Sequence, residues 1–230
     1  MAPSRLSKPG WKILGALLVL GLVGVGLPRL AGSMEFFRVR KLEVRGLRYL
    51  PAERVARALP VATGQSIFAA LDSLEAAGDT ITGLDAFRVS RRLPGTLVVT
   101  VREAEPIALV MKGGVLQMVS AGGVVLPFNP TIAAPDLPVV ASADTLVTGL
   151  LARVRDADAT FFARVVAGAR SGDDVVLTVD GRRYWFRPNA PARVIRAVTA
   201  VTQDLEKKAR PWAELDARFA GQVVVRWGGA

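Results

Sequence analysis

Residues 13–27, ILGALLVLGLVGVGL, are apolar or glycine without a polar interruption. As a helix rising about 1.5 Å per residue, the run covers roughly 22 Å, short of a hydrocarbon core of about 30 Å. Lys12 and Arg29 flank it and can stretch their charged ends to the headgroups, and Trp11 stands where interfacial anchors do. Residues 13–30 are therefore read as a transmembrane helix, with 1–12 as a cytoplasmic tail. A cleaved signal peptide, with Ala31-Gly32-Ser33 as its site, and a buried core helix are the competing readings. Arg5, Lys8 and Lys12 precede the run and no acid does, so the positive-inside rule sends the C-terminal bulk across the membrane.

A chain of 230 residues, half of them apolar, has room for one or two modest cores beyond such an anchor. It has no cysteine, so an exported domain would stand on packing alone. It has no histidine either, which removes the commonest general base and metal ligand and excludes Ser-His and Cys-His nucleophiles. The net charge of +10 favours anionic lipid, acidic wall polymer or an acidic protein partner on the exported side. Nucleic acid is disfavoured by that topology and by the lack of any zinc-finger or RNP-type signature.

Residues 36–45 (FFRVRKLEVR) read as a strand whose alternation slips, suggesting a bulge. Pro51 suits the first turn of a helix that Pro60 ends. Ser66 reads as the N-cap of a second helix carrying Phe68, Leu71 and Leu74, stopped by Gly78 or Gly83. Residues 86–93 and 97–103 are two strands joined through Pro94-Gly95. A boundary falls at Glu105-Pro106, giving a first domain at 36–105 with the order strand, helix, helix, strand, strand. Residues 106–230 form a second, β-rich domain. It has a hairpin at 107–111 and 115–119, short strands at 124–126 and 137–140, and an irregular proline-rich connection at 127–138. A helix at 144–154 is capped by Asp144, and 161–170 is ambiguous between helix end and strand. A hairpin turns on Asp180-Gly181, a helix spans 191–208, and strands at 213–219 and 222–227 close the chain. The fold class is α+β, with a mainly antiparallel sheet in the second domain.

Catalytic groups are thin. Asp173-Asp174 reads as a solvated turn pair rather than a hydrolytic dyad. Glu103 and Glu105 read as salt-bridge partners, and the paired glycines at 113–114 and 122–123 as hairpin turns, since no Gly-Lys-Ser/Thr follows. No enzyme, cofactor or metal site is expected. Binding is better supported. Val223, Val224 and Val225 followed by Arg226 and Trp227 read either as an ordinary buried strand or as a sheet edge open to a strand from another chain. In the second case Arg218, Phe219 and Trp227 would select the partner. Arg88, Arg91, Arg92 and Arg102 form a basic group on the first domain's hairpin, either a solvated face or one turned to headgroups, wall polymer or another protein.

The first domain resembles a POTRA domain, specifically that of the bacterial division proteins FtsQ and DivIB. The pieces that carry the resemblance are Val39 to Gly46 (V-x-x-L-x-V-x-G), Gly64-Gln65-Ser66-Ile67-Phe68, Arg91 through Leu97, and Val101-Arg102-Glu103 with Pro106-Ile107-Ala108. Ala104 departs from an expected basic residue. Glu214 through Phe219 with Gly221 to Trp227 is similar to the family's closing strands, with Ala217 in place of a leucine, and Gly122-Gly123-Val124-Val125 is similar to one of its turns. The resemblance implies a non-enzymatic, single-pass scaffold of the divisome in the inner membrane. It would recruit FtsB/DivIC-type and FtsL-type proteins to the septum through the last strands and help control septal wall synthesis. Arg193 and Arg196 would meet the partner's acids. A POTRA-containing export or outer-membrane assembly component is the alternative; no β-barrel and no second copy of the module speaks for it.

Overall fold

The computed structural model describes residues 15, 17, 35–68, 71–129 and 136–228. The apolar run lies outside them except for Gly15 and Leu17, and so does the spanning helix read from it. Among the described residues no helix is long and apolar enough to cross a membrane. The chain divides after Arg102 into two compact units.

In the first unit a 3-10 turn (Glu35–Phe37) precedes β1 (Lys41–Arg45), α1 (Ala52–Ala58), α2 (Asp72–Asp79), β2 (Leu84–Arg92) and β3 (Thr96–Glu103). The sheet order is β1-β3-β2, and β1 runs parallel to β3 with Lys41 opposite Thr96. A parallel pair needs a long crossover, and the two helices supply it. Leu97, Val99 and Val101 alternate inward from β3 onto Phe87, Val89, Val55 and Leu74. The slip expected in 36–45 is the 3-10 turn, after which only Lys41 onward pairs as a strand. Ser66 does not cap a helix. Its hydroxyl accepts from the Phe68 amide at 3.3 Å, and α2 begins only after Leu71.

The second unit contains β4 (Pro106–Lys112), β5 (Val115–Ser120), β6 (Val139–Val140), α3 (Thr145–Ala157), α4 (Ala159–Phe162), β7 (Val165–Ser171), β8 (Asp174–Val179), β9 (Arg182–Phe186), α5 (Ala192–Lys207), β10 (Glu214–Asp216) and β11 (Val224–Arg226). They build one sheet, ordered β11-β10-β9-β8-β7-β6-β4-β5. The Asp144 carboxylate accepts from the Leu146 amide and starts α3, as its position in the sequence predicts. Asp180 and Gly181 both have positive φ, the requirement of a two-residue hairpin turn. Leu150, Leu151 and Val154 of α3 and Ile195 and Val198 of α5 bury against Leu177, Tyr184, Phe186 and Leu215 of one sheet face. The ambiguous segment 161–170 resolves into both structures. The Asp158 side chain caps α4 through the Phe161 amide at 2.9 Å, and β7 follows. The strand expected at 124–126 is reduced to a single bridge between Val119 and Val125.

The sheet is mainly antiparallel, as expected, with β10–β11, β8–β9, β7–β8 and β4–β5 all antiparallel, but it also holds short parallel pairings. β9 and β10, β6 and β7, and β4 and β6 are parallel pairs. The cause lies in the helices. α5 carries the chain from β9 over the sheet face to β10, and α3 with α4 does the same from β6 to β7, so these two pairs are βαβ crossovers, whereas β4 and β6 are linked through β5.

Candidate functional site

β10 is three residues long, and its alternation sets up the site. Leu215 points into the helix-covered core, while Glu214 and Asp216 lie on the opposite sheet face. Cross-strand register brings Arg183 and Arg226 beside Glu214, and Trp185 and Val224 beside Asp216. Glu214 pairs with Arg183 and, at 3.8 Å, with Arg226; it also accepts a hydrogen bond from the Trp185 indole at 3.2 Å.

Asp216 is fully buried. Arg218 grips its carboxylate in a fork, with Nε donating to Oδ1 at 2.8 Å and Nη2 to Oδ2 at 2.6 Å. The Arg218 backbone amide adds a third bond at 3.2 Å, and Arg226 stands 3.6 Å away. The Arg218 fork holds the Asp216 carboxyl below the usual carboxylate range, winning against burial, which pushes the other way. Arg218 Nη1 also donates to Asp174 at 2.8 Å, and its guanidinium lies 4.7 Å from the Trp185 ring centre. Asp174 is therefore not half of a solvated pair. Asp173 is fully exposed, but Asp174 opens β8 and is tied to Arg218 across the sheet.

This network of Asp174, Trp185, Glu214, Asp216 and Arg218 was not read from sequence. Its one local signal is the Asp216-x-Arg218 spacing, which puts an acid and a base on the same side of an extended chain. The other partners arrive through strand register.

Among the described residues, β11 is the last strand of the sheet and pairs with β10 alone; β5 is the other edge. Val223 and Val225 pack against the core, while Phe219 and Trp227 are more than half exposed. Between the start of α5 and the loop at 217–223 lies a cavity of about 420 Å³, with Pro191, Arg193, Val194, Phe219, Gln222 and Val223 in its walls. Arg187 Nε donates to the Arg218 carbonyl at 3.2 Å and pins that loop. Of the residues singled out in sequence, Arg193, Arg218, Phe219 and Val223 thus meet at one cavity. Arg196 lies one turn further along α5 and does not line it, and Val224, Val225, Arg226 and Trp227 form the adjoining edge. Arg193 and Arg196 are exposed and make no ion pair with any described residue.

The basic group of the first unit is divided. Arg88, Arg92 and Arg102 are exposed on the outer sheet face, whereas Arg91 turns back to donate to the Ile67 carbonyl at 2.6 Å. Glu105 pairs with Arg155 at 3.0 Å.

Residues 37–104 match the family model for the POTRA domain of FtsQ type. A curated relative, the cell division protein FtsQ of Zymomonas mobilis subsp. mobilis, is 33% identical over 110 residues, covering 46% of this chain and 34% of the relative. The matched part thus spans about a third of that protein's length. A solved structure, the major extracytoplasmic domain of the division protein DivIB from Geobacillus stearothermophilus, is 20% identical with a TM-score of 0.34, over 46% of this chain and 96% of that one. That likeness is too loose to bear on the fold. The domain match and the curated relative agree with the motifs along the chain: residues 37–104 are a POTRA domain of FtsQ type, and the chain is similar to the FtsQ proteins of bacterial cell division.

Proposed function

We propose that the protein is a non-enzymatic, single-pass scaffold of the division septum. Its apolar run anchors it in the inner membrane, and its exported second unit takes up FtsB/DivIC-type and FtsL-type partners, so helping to control septal wall synthesis. The observation that carries the reading is the terminal strand β11. Among the described residues it ends the sheet and has a strand neighbour on one side only, and it adjoins a cavity walled by Phe219 and Arg193. A strand added at such an edge gains main-chain hydrogen bonds, and a side chain seated in the cavity supplies selectivity. The FtsQ-type POTRA match and the likeness to a cell division protein FtsQ support the cellular role.

The test is capture of the FtsB-type and FtsL-type proteins of the same genome, co-expressed with the full chain. A truncation after Phe219 removes β11, and capture is expected to fall at least tenfold. That truncation also strips Val223 and Val225 from the core, so Phe219→Ala is the cleaner variant. Phe219 is 52% exposed, and its loss should leave the unfolding midpoint unchanged. If the cavity anchors the partner, binding weakens about thirtyfold, as for a hot-spot aromatic. Unchanged capture by both variants refutes the edge as the docking site.

A further inference from the structure

We infer that the outer face of the first unit's sheet is a docking surface for an anionic phospholipid bilayer; the inference rests on the anchored reading above. Strand register and alternation place Lys41, Glu43 and Arg45 of β1 on the face opposite the core, level with Thr96, Val98 and Thr100 of β3. The same parity puts Arg102 there from β3 and Arg88, Ser90 and Arg92 from β2, since Phe87, Val89, Leu97, Val99 and Val101 all face inward. Five cations therefore share one side of a three-stranded sheet with a single acid, Glu43. That acid is already engaged, with Arg45 at 2.6 Å and with Arg92 at 2.5 Å. Arg92 reaches it from β2 across the central strand, over Val98, which is buried although it lies on the outer side. Lys41, Arg88 and Arg102 make no ion pair with any described residue.

The opposite layer is less basic. α2 carries Asp72, Glu75 and Asp79 and no basic residue, while α1 carries Glu53 with Arg54 and Arg57, so acids outnumber bases on the two helices. The excess of cations thus lies on the sheet side. A planar anionic surface meets all five cations at once, which a single extended polymer strand does not. The distance also fits. Residues 28–40 separate the apolar run from β1 and span at most roughly 45 Å when extended, so an anchored chain holds this face within reach of the headgroups. Near an anionic surface each such cation favours the docked state by about fivefold, and salt screens the effect within about 10 Å.

The absence of cysteine allows a direct test with the full chain reconstituted in vesicles. A fluorophore is placed on the sheet face by Ser90→Cys, or on the helix layer by Ala76→Cys, and quenched by nitroxide-headgroup lipid. With phosphatidylglycerol in the bilayer at 0.1 M salt, the label at position 90 is expected to be quenched and the label at 76 spared. Quenching should vanish at 0.5 M salt and in pure phosphatidylcholine. Arg88→Gln with Arg102→Gln, both solvent-exposed changes, should lower the docked-to-free ratio about twentyfold. Equal quenching at both positions, indifference to lipid charge, or indifference to the double variant overturns the inference. Tight binding of soluble polyphosphate without quenching on phosphatidylglycerol vesicles also overturns it, in favour of a polymer. An alkaline wash that strips the chain from the vesicles counts against the anchor instead, and leaves the label contrast readable on whatever chain is bound.

Discussion

Removing the guanidinium of Arg218 should destabilise the second unit by about 3 kcal/mol. Asp216 has no exposure and would be left with only the residue-218 amide at 3.2 Å and Arg226 at 3.6 Å to compensate its carboxylate among the described residues. Three charge-assisted bonds are lost, two to Asp216 at 2.8 and 2.6 Å and one to the half-buried Asp174 at 2.8 Å, and such bonds contribute about 1.5–3 kcal/mol each. Water entering where the partly exposed Arg218 side chain stood, and a shift of Arg226, recover part of that sum. Breaking one side of a buried pair commonly costs about 3–5 kcal/mol, so the lower end applies here. For a unit of this size that is a fall of about 10 °C in Tm. Arg218→Lys should recover less than half, because an ammonium cannot serve both carboxylate oxygens and Asp174 together. The assay is urea and thermal unfolding of the full chain, followed by tryptophan emission, with Trp185 reporting from beneath the fork. The cycle Arg218→Ala, Asp216→Asn and the pair should show a coupling of at least about 2 kcal/mol. A coupling near zero would mean the pair behaves as a surface contact, and the account of β10 as an internally clamped strand would fail.

The pH dependence follows from the same carboxyl. Its folded value lies below its unfolded one, near 3.9, so its contribution is complete above about pH 4 and is lost as pH falls through the depressed folded value. Acid titration of the Arg218→Ala chain should remove that part of the curve, as equilibrium unfolding between pH 2 and 6 will show. Gly46→Ala should cost about 3 kcal/mol or more in the first unit, because φ is +89° and a Cβ would lie 2.1 Å from the Val101 carbonyl oxygen; Gly64→Ala, at +93° with nothing within 4 Å, should cost only about 1 kcal/mol, and urea midpoints separate the two. Gly78→Ala would set a methyl 2.0 Å from the Phe87 ring and should cost about 2–3 kcal/mol in the same assay, with Phe87→Leu in the Gly78→Ala background restoring part of it.

What could be read from sequence was local. Asp144 as a cap, Asp180-Gly181 as a hairpin turn and Pro191 at the head of α5 each act within a few residues, and each stands where the pattern placed it. The strand and helix order of the first unit was legible for the same reason. Ser66 shows the boundary of this approach. It is a good capping residue that satisfies a turn amide instead, six positions before the helix begins. The parallel pairing of β9 with β10 was not legible, because the helix at 191–208 was read as an element and not as the crossover that forces it. The ion network was hidden for that reason too. Asp174 and Arg218 are 44 positions apart and meet only once β8, β9 and β10 lie side by side. An aspartate beside another aspartate at a turn looks solvated until the register is known.

The commitment of Arg218 to Asp216 and Asp174 changes which charges are free to read a partner. Arg226 leans on Glu214 and Asp216, and Arg183 on Glu214, so the outer face of β9, β10 and β11 is close to neutral. Arg193 and Arg196, on the exposed side of α5, carry charge with no described counterpart. If the edge takes up an acidic partner, these two arginines steer it and Arg218 does not. Exposed charges of this kind act on the encounter more than on the lifetime of the complex. Arg193→Glu with Arg196→Glu should therefore lower the association rate about tenfold at 50 mM salt and leave dissociation within about twofold. The difference should shrink as salt rises to 0.5 M, where the Debye length falls to a few ångströms. Arg218→Lys should show the opposite split: a normal salt dependence of association, and faster dissociation in proportion to lost stability. Surface-plasmon kinetics on the co-purified FtsB-type partner measure both. An association rate indifferent to the two α5 reversals, with dissociation accelerated instead, would put these arginines inside the bound interface and remove the steering role.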